Sequence, residues 1–569
     1  MSSEVVKREV RFAWHIPKND NREDYHYVRE TQTLKDGSTK EVCFLAKDYK
    51  RPVYVTSQAF RNHKDKKEFE HKDKLMCQQT TQSDIARVAA NMLGAPHLAS
   101  NHNELKSSPY LYGYDITSTS LIKYASLKRN NFVQSRYSVA VGDIETDIDT
   151  EEILMATVAF QGKIHVSILN KFVKNITDPT GRILKAKEKY LPEYADLKVH
   201  ITYHDTEVDL MKSFFKTCNE WKPAWLSFWN MDFDMSRFMD RLKKFNVNPI
   251  DVICDQNVPR RLRLCRYKQG LKKKVTASGV VKPINPSLQW HTLIATTTFY
   301  VIDSMCVYRQ LRISKQEEPS YSLDAILQKE LKRGKLKFEE ADEYKGAKWH
   351  IFMQHNYPIE YVVYNMFDCL GVLELDEKTK DLAYTLPSFA GITDFQKFNS
   401  QVRKVSDAVF LFGLEKDLII GTVGKINKLE EEAEADELDA LLEEEEFDEN
   451  DPANYKTLDL KGWIQLLPQN LLLNEGLKVL EEYPDVVTNI RGITFDMDAT
   501  SSYPSCTLTG NVSLATTVNE LIRVDGMTEE AFREQNLSIC LGNSNLLEYF
   551  NVVFGLPKLE EIDSILDAM

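Results

Sequence analysis

From Tyr137 to about Leu382 the sequence alternates apolar strand patterns with amphipathic helical ones, which restricts this stretch to an α/β domain. The strand-like runs include Ile153 to Phe160 and Phe299 to Asp303, and the helical ones include Val208 to Cys218 and Met235 to Phe245. Residues 1–135 read differently: short alternating segments (Glu41 to Leu45, Pro52 to Val55) and a Lys/His-rich stretch from His63 to Lys74 predict an α+β module. A mixed segment, 383–428, leads into an acidic stretch, 429–454, and an ordered pattern resumes over 455–569. The expectation is a multidomain chain that mixes α/β and α+β classes, and 569 residues leave room for three or four domains.

The net charge of −13 argues against nucleic acid only until it is located. Residues 430–451 hold fourteen Asp and Glu and no Lys or Arg, so the rest of the chain stands at −13 + 14 = +1. That run predicts a solvated, disordered linker, and the near-neutral remainder is compatible with a DNA-binding groove, because phosphate attraction depends on the local field. No apolar run approaches the roughly 18 residues of a membrane span, and the start, MSSEVVKREVRF, lacks the apolar core of an export signal. A cytoplasmic protein without membrane partners is expected. Nine scattered cysteines, with no CxxC pair, predict neither a disulfide framework nor structural zinc.

Three segments in the α/β region carry candidate chemistry. Val139 to Glu145 is an apolar strand that ends with Asp143 and Glu145 at i and i+2, hence on one face. Trp225 to Trp229 is an aromatic strand that breaks at Asn230 and places Asp234 at a helix start. Tyr361 to Asp368 has helical spacing that puts Tyr364 and Asp368 on one face. Four carboxylates and a phenol in one region suit Mg²⁺ or Mn²⁺, and two-metal phosphodiester hydrolysis needs such a set with no nucleophilic side chain. GxSxG, GxxxxGK[ST] and HExxH are all absent, so serine hydrolase, nucleoside-triphosphatase and zincin readings have no support.

These segments resemble exonuclease motifs I, II and III of B-family DNA polymerases, in the same order. Pro319 to Asp324, followed by Gly334 to Lys337, resembles the text before motif III in the tailed-phage branch. The resemblance implies an RNase H-like 3′-to-5′ exonuclease domain over 136–382, and an N-terminal domain over 1–135 to which 383–428 returns. It implies that Asp143, Glu145, Asp234 and Asp368 bind two Mg²⁺ (or Mn²⁺) ions and that Tyr364 orients water. Motif II departs by one residue between Asn230 and Phe233, which leaves Asp232 as the alternative to Asp234.

Ile493 to Ser505 resembles polymerase motif A of the same family, making 455–569 a partial palm. The resemblance implies that Asp498, with Asp496 as alternative, binds catalytic Mg²⁺. Backbone amides of Ala499, Ser501 and Ser502 would contact the incoming triphosphate, and the Tyr503 ring would exclude a 2′ oxygen. No Asp-Thr-Asp hairpin or Lys/Asn-Ser-Tyr-Gly helix appears, and 64 residues follow Ser505 (569 − 505 = 64). The expectation is one part of a split or truncated polymerase, phage-encoded and at work in the infected cell, with a second chain supplying the missing motifs and a sliding clamp as a further partner. The other classes kept open are a free-standing exonuclease with a vestigial palm and a non-catalytic DNA-binding scaffold.

DNA, as primer-template or single-stranded 3′ end, is the expected substrate. Arg260, Arg261, Arg263, Arg266, Lys268, Lys272, Lys273 and Lys274 form a basic patch, with no acidic residue from 260 to 282. They are expected to track the phosphate backbone while Tyr267 stacks on a base.

Overall fold

The fold is described by a computed structural model covering residues 4–18, 23–275, 281–313 and 318–422, with backbone alone for 274–275, 463–465 and 521–523. The chain divides into two compact units, 1–440 and 441–569.

In the first unit, β1 (Val5–Ile16), β2 (Tyr25–Leu34) and β3 (Thr39–Lys47) form an antiparallel sheet. β4 (Arg51–Thr56), β5 (Phe69–His71), β6 (Leu75–Thr80) and β7 (Leu111–Tyr112) follow, and β4 pairs with both β6 and β7. Arg51 is fully buried, and its guanidinium donates to the carbonyls of Gly113 (2.7 Å) and Ile116, which staples the loop after β7 to the start of β4.

The large sheet comes next. β8 (Val139–Thr146), β9 (Ile153–Phe160), β10 (Lys163–Leu169), β11 (Lys198–His204), β12 (Trp225–Phe228) and, later, β17 (Tyr300–Asp303) lie in the order β11-β10-β9-β8-β12-β17. β9 is antiparallel to both neighbours, whereas β12 is parallel to β8 and to β17. The parallel strands need crossovers: α1 (Glu207–Trp221) precedes β12, and α2 (Met231–Lys244) follows it.

Alternation along β8 sends Val139 and Val141 into the core on one face, and Ala140 and Ile144 into the core on the other. The second face is so tightly filled that a Cβ at Gly142 would lie 2.8 Å from the Phe228 ring and 2.9 Å from Phe214, so only glycine fits there. α3 (Ser304–Gln310), α4 (Leu323–Leu331), α5 (Ala347–Asn356) and the 22-residue α6 (Pro358–Thr379) complete the domain, and α6 packs on β8 and β9. α6 is buried nearly all round, from Ile359 to Val372, so its polar residues Tyr364, Asn365 and Asp368 sit inside the protein and require partners.

Between α2 and β17, β13 (Cys265–Lys268) pairs with β16 (Thr292–Ala295), and β14 (Lys273–Val275) pairs with β15 (Val281–Pro283) as a small hairpin. α7 (Gln401–Glu415) then leads to β18 (Leu418–Ile420), which pairs with β5. In the second unit, β19 (Trp463–Gln465) pairs antiparallel with β20 (Leu521–Arg523). The acidic run 430–451 and the motif A-like residues Asp496, Asp498, Ala499, Ser501, Ser502 and Tyr503 lie outside the described residues. No helix among the described residues is long and apolar enough to cross a membrane.

Candidate active site

The end of β8 and one face of α6 meet. Asp143 and Glu145 leave the strand on the side that faces α6, and a register irregularity between Glu145 and Thr146 marks where the strand stops pairing regularly with β9. On α6, Tyr361, Tyr364, Asn365 and Asp368 recur at intervals of one turn. Carboxylate oxygens of Asp143, Glu145 and Asp368 lie within 4.8 Å of one another. Asp234 joins from the first turn of α2, its Oδ1 accepting the Ile144 backbone N–H at 3.1 Å, so it is tied to the strand between the two β8 carboxylates.

Asp232 goes elsewhere. Its carboxylate accepts from Lys272 Nζ at 2.6 Å, Ser236 Oγ at 2.9 Å and Gln269 Nε2 at 3.1 Å, in a half-exposed network on the outer side of α2. Two positions on a helix differ by about 200°, so only one of the two aspartates can face β8, and it is Asp234, 3% exposed.

Each inward carboxylate has one oxygen held by a specific donor. Asn365 Nδ2 donates to Asp143 Oδ2 at 2.5 Å, the Tyr361 hydroxyl donates to Glu145 Oε2, and Lys335 Nζ donates to Asp368 Oδ2 at 2.5 Å. The same Lys335 ammonium lies 3.0 Å from the Tyr364 hydroxyl. Asp368 Oδ1 is buried and has no hydrogen-bond partner. Four carboxylates face one ammonium, with Glu145, Asp234 and Asp368 buried and Asp143 partly so, and full ionisation would leave three uncompensated negative charges.

That excess is visible in the acidities. Burial, and then the charges of Asp234, Asp368 and Glu145, push Asp143 well above the usual carboxylate range. Burial lifts Glu145 to about 8 against the opposing Tyr361 hydrogen bond. Burial likewise raises Asp234 and Asp368, the latter opposed by Lys335, whose own ammonium is held charged chiefly by Asp368 against the cost of its burial. An all-oxygen donor set with surplus negative charge and an orphaned buried oxygen fits hard divalent cations such as Mg²⁺ or Mn²⁺.

The sequence pointed to Asp143, Glu145, Asp234, Tyr364 and Asp368, and the fold brings all five together. Tyr361, Asn365, Lys335, His350 and Gln354 were not singled out. The helical spacing of Tyr361 and Asn365 with Asp368 was readable beforehand, whereas Lys335 stands on a loop whose reach into the site no local pattern encodes.

The basic stretch is less uniform than its composition. Arg260 pairs with Asp251 at 2.9 Å, and Arg263, largely covered, donates to the Val258 carbonyl at 2.8 Å. Arg261, Arg266, Lys268 and Lys273 are exposed, and Lys272 is exposed but paired with Asp232; the Lys274 side chain lies outside the described residues. Tyr267 corrects the expectation of an outward stacking platform. β13 alternates, so Arg266 and Lys268 face solvent while Tyr267 turns inward, stacks on His291 at 6.3 Å and points its hydroxyl at Asp232.

Fold and site together form a mixed α/β domain with a carboxylate cluster suited to cations, which is consistent with an exonuclease domain of the RNase H-like kind. Residues 112–326 match the family described as DNA polymerase family B, exonuclease domain. The match takes in Asp143, Glu145 and Asp234 and supports nuclease activity; Tyr364 and Asp368 lie beyond the matched span. No curated protein matches the chain.

Proposed function

We propose that this chain is the 3′-to-5′ proofreading exonuclease component of a B-family, phage-type DNA polymerase, acting on single-stranded DNA 3′ ends. The observation that carries the reading is the convergence of Asp143, Glu145 and Asp368 oxygens within 4.8 Å, with Asp234 tied to the intervening strand residue. Asp143, Glu145, Asp234 and Asp368 are the residues that would hold two divalent cations, which when bound supply charge neutralisation and Lewis acidity at the scissile phosphate.

The chain's own side chains do the rest. Tyr364, with its hydroxyl beside Lys335, orients a water for in-line attack on phosphorus. The water oxygen forms the new P–O bond, and the P–O3′ bond breaks. A nucleoside 5′-monophosphate leaves, and the shortened strand keeps a free 3′-hydroxyl. Lys335 keeps Asp368 ionised and in place by a charge-assisted hydrogen bond. Exposed Arg266, Lys268 and Lys273 lie on β13 and the adjoining hairpin, where they hold the strand's phosphates.

The motif A-like text extends the reading. Asp498 and Tyr503 belong to a palm that depends on a second chain for its remaining catalytic motifs. The domain division follows the same reading: 1–135 with the return segment 383–428, the exonuclease domain 136–382, the acidic linker 429–454 and the partial palm 455–569.

The test is a labelled primer-template with Mg²⁺, with and without deoxynucleotides, beside an Asp143→Ala/Glu145→Ala control. Shortening from the 3′ end that depends on the two carboxylates, without extension, is the expected outcome. Extension by the chain alone would refute the need for a second chain, and absence of cleavage would leave the non-catalytic scaffold.

A further inference from the structure

Glu145 carries one more methylene than the aspartates around it, so it is the carboxylate that most needs holding from outside its own strand. Tyr361, fully buried on α6, reaches it: the phenol donates to Glu145 Oε2. Behind the same hydroxyl stand two further groups, both from α5. His350 Nδ1 lies 2.8 Å away, and Gln354 Nε2 donates at 3.2 Å. The phenol has a single proton, which goes to Glu145 when that carboxylate is ionised, as cation binding requires; in that state both nitrogens are donors and His350 carries its proton on Nδ1. Gln354 Nε2 also donates to the Thr146 carbonyl at 2.9 Å, which ties the cluster to the strand residue next to Glu145. The Tyr361 ring is fixed by Tyr364, parallel at 6.0 Å, and by His350, edge-on at 5.9 Å.

From this arrangement we infer that Tyr361, backed by His350 and Gln354, is a positioning residue that fixes the Glu145 carboxylate for cation binding. The inference rests on the reading of the carboxylate cluster as a nuclease metal site. A phenol that merely filled the core would not need two donors aimed at its oxygen, nor a link from one of them to the backbone beside the carboxylate it holds. The clamp sets the orientation of Glu145 without touching substrate, so its loss acts on metal affinity and turnover rather than on strand binding.

The experiment uses the full chain and Mn²⁺ as the probe. Free Mn²⁺ is followed by electron paramagnetic resonance, and excision is followed on a 5′-labelled single-stranded oligonucleotide. Tyr361→Phe is expected to weaken Mn²⁺ binding and lower kcat by about 10- to 100-fold, with KM for the oligonucleotide unchanged. His350→Asn, whose amide can donate from the Nδ1 position, retains most of the wild-type behaviour, while His350→Leu follows Tyr361→Phe. Wild-type Mn²⁺ binding and excision that Tyr361→Phe leaves unchanged would overturn the clamp alone. Mn²⁺ binding equal in wild type and Asp143→Ala would overturn the metal-site reading and the clamp with it. A thermal melt of each metal-free variant identifies misfolding, in which case the His350→Asn and His350→Leu pair decides.

Discussion

The carboxylate cluster around β8 and the basic stretch from Arg260 to Lys274 both concentrate one sign of charge, and the fold treats them in opposite ways. The acidic groups are drawn together inside the domain, each with one oxygen pinned by a donor, and among the described residues Lys335 is the ammonium bonded to them. The basic groups sit at the surface, and several already have local partners: Arg260 with Asp251, and Lys272 with Asp232. Burial without neutralisation stores a demand for cations, whereas exposure with partial neutralisation leaves a surface that a polyanion can use in part. The first arrangement suits chemistry at one point, and the second suits tracking of a flexible strand.

The largest effects should come from the buried side. Replacing Asp143 or Asp368 by Ala removes a cluster carboxylate whose contribution is several kcal/mol, so excision should fall by ~10³-fold or more. Single-turnover excision rates check this, and a loss under about tenfold would break the contrast with the surface patch. Lys335→Met should follow, with a drop of about 10- to 100-fold from the loss of a charge-assisted hydrogen bond worth roughly 1.5–3 kcal/mol. An unchanged rate would mean that the ammonium only balances the charge of the carboxylates.

Stability should report the same stored demand. The folded Glu145 acid sits at about 8 against an ordinary 4.5, and Asp303, buried at the end of β17, at about 7 against 3.8. Between the ordinary and the raised values the folded state binds more protons than the unfolded one. The metal-free protein therefore loses stability as pH rises from near 4.5 toward 8 through these two groups. Mg²⁺ should reverse the part of the loss that comes from the cluster, raising Tm more at the alkaline end of the window and releasing protons as it binds. Melting curves across that pH range, with Mg²⁺ and with chelator, test the sign. A Tm difference that shrinks as pH rises would contradict it.

The buried site was largely legible in the sequence because strand and helix periodicity dictate which side chains share a face. Asp143 and Glu145 are two residues apart on a strand, and Tyr364 and Asp368 are one turn apart on a helix, so each pair converges whatever the rest of the chain does. The choice between Asp232 and Asp234 was not legible, since it turns on where α2 begins, and helix boundaries depend on capping in three dimensions. Asp303 contributes to that boundary by accepting the Met231 backbone N–H at 2.8 Å across 72 residues, a contact no local window contains. Lys335 falls in the Gly334 to Lys337 text that resembles the family, but its bond to Asp368 spans 33 residues, again beyond any local window. The basic stretch was legible as composition but not as geometry: the alternation that turned Tyr267 inward depends on β13 pairing with β16, which the residue types alone do not announce.

The smallest effects belong to the patch, and they divide it. Arg266 and Lys268 face solvent on alternate positions of β13, while Arg260 is held by Asp251 through two hydrogen bonds, at 2.9 and 3.0 Å. If the exposed pair contacts phosphates, Arg266→Ala and Lys268→Ala should each lower the salt slope of single-strand binding by about 1 and weaken affinity uniformly across sequences. Arg260→Ala should change the slope less, because its guanidinium would have to leave an existing carboxylate before meeting a phosphate. Fluorescence anisotropy with a labelled oligonucleotide over a salt series reads all three variants. Equal slopes for Arg260→Ala and Arg266→Ala would show that local pairing does not decide which basic residues reach the strand, and the two regions would then differ in burial alone.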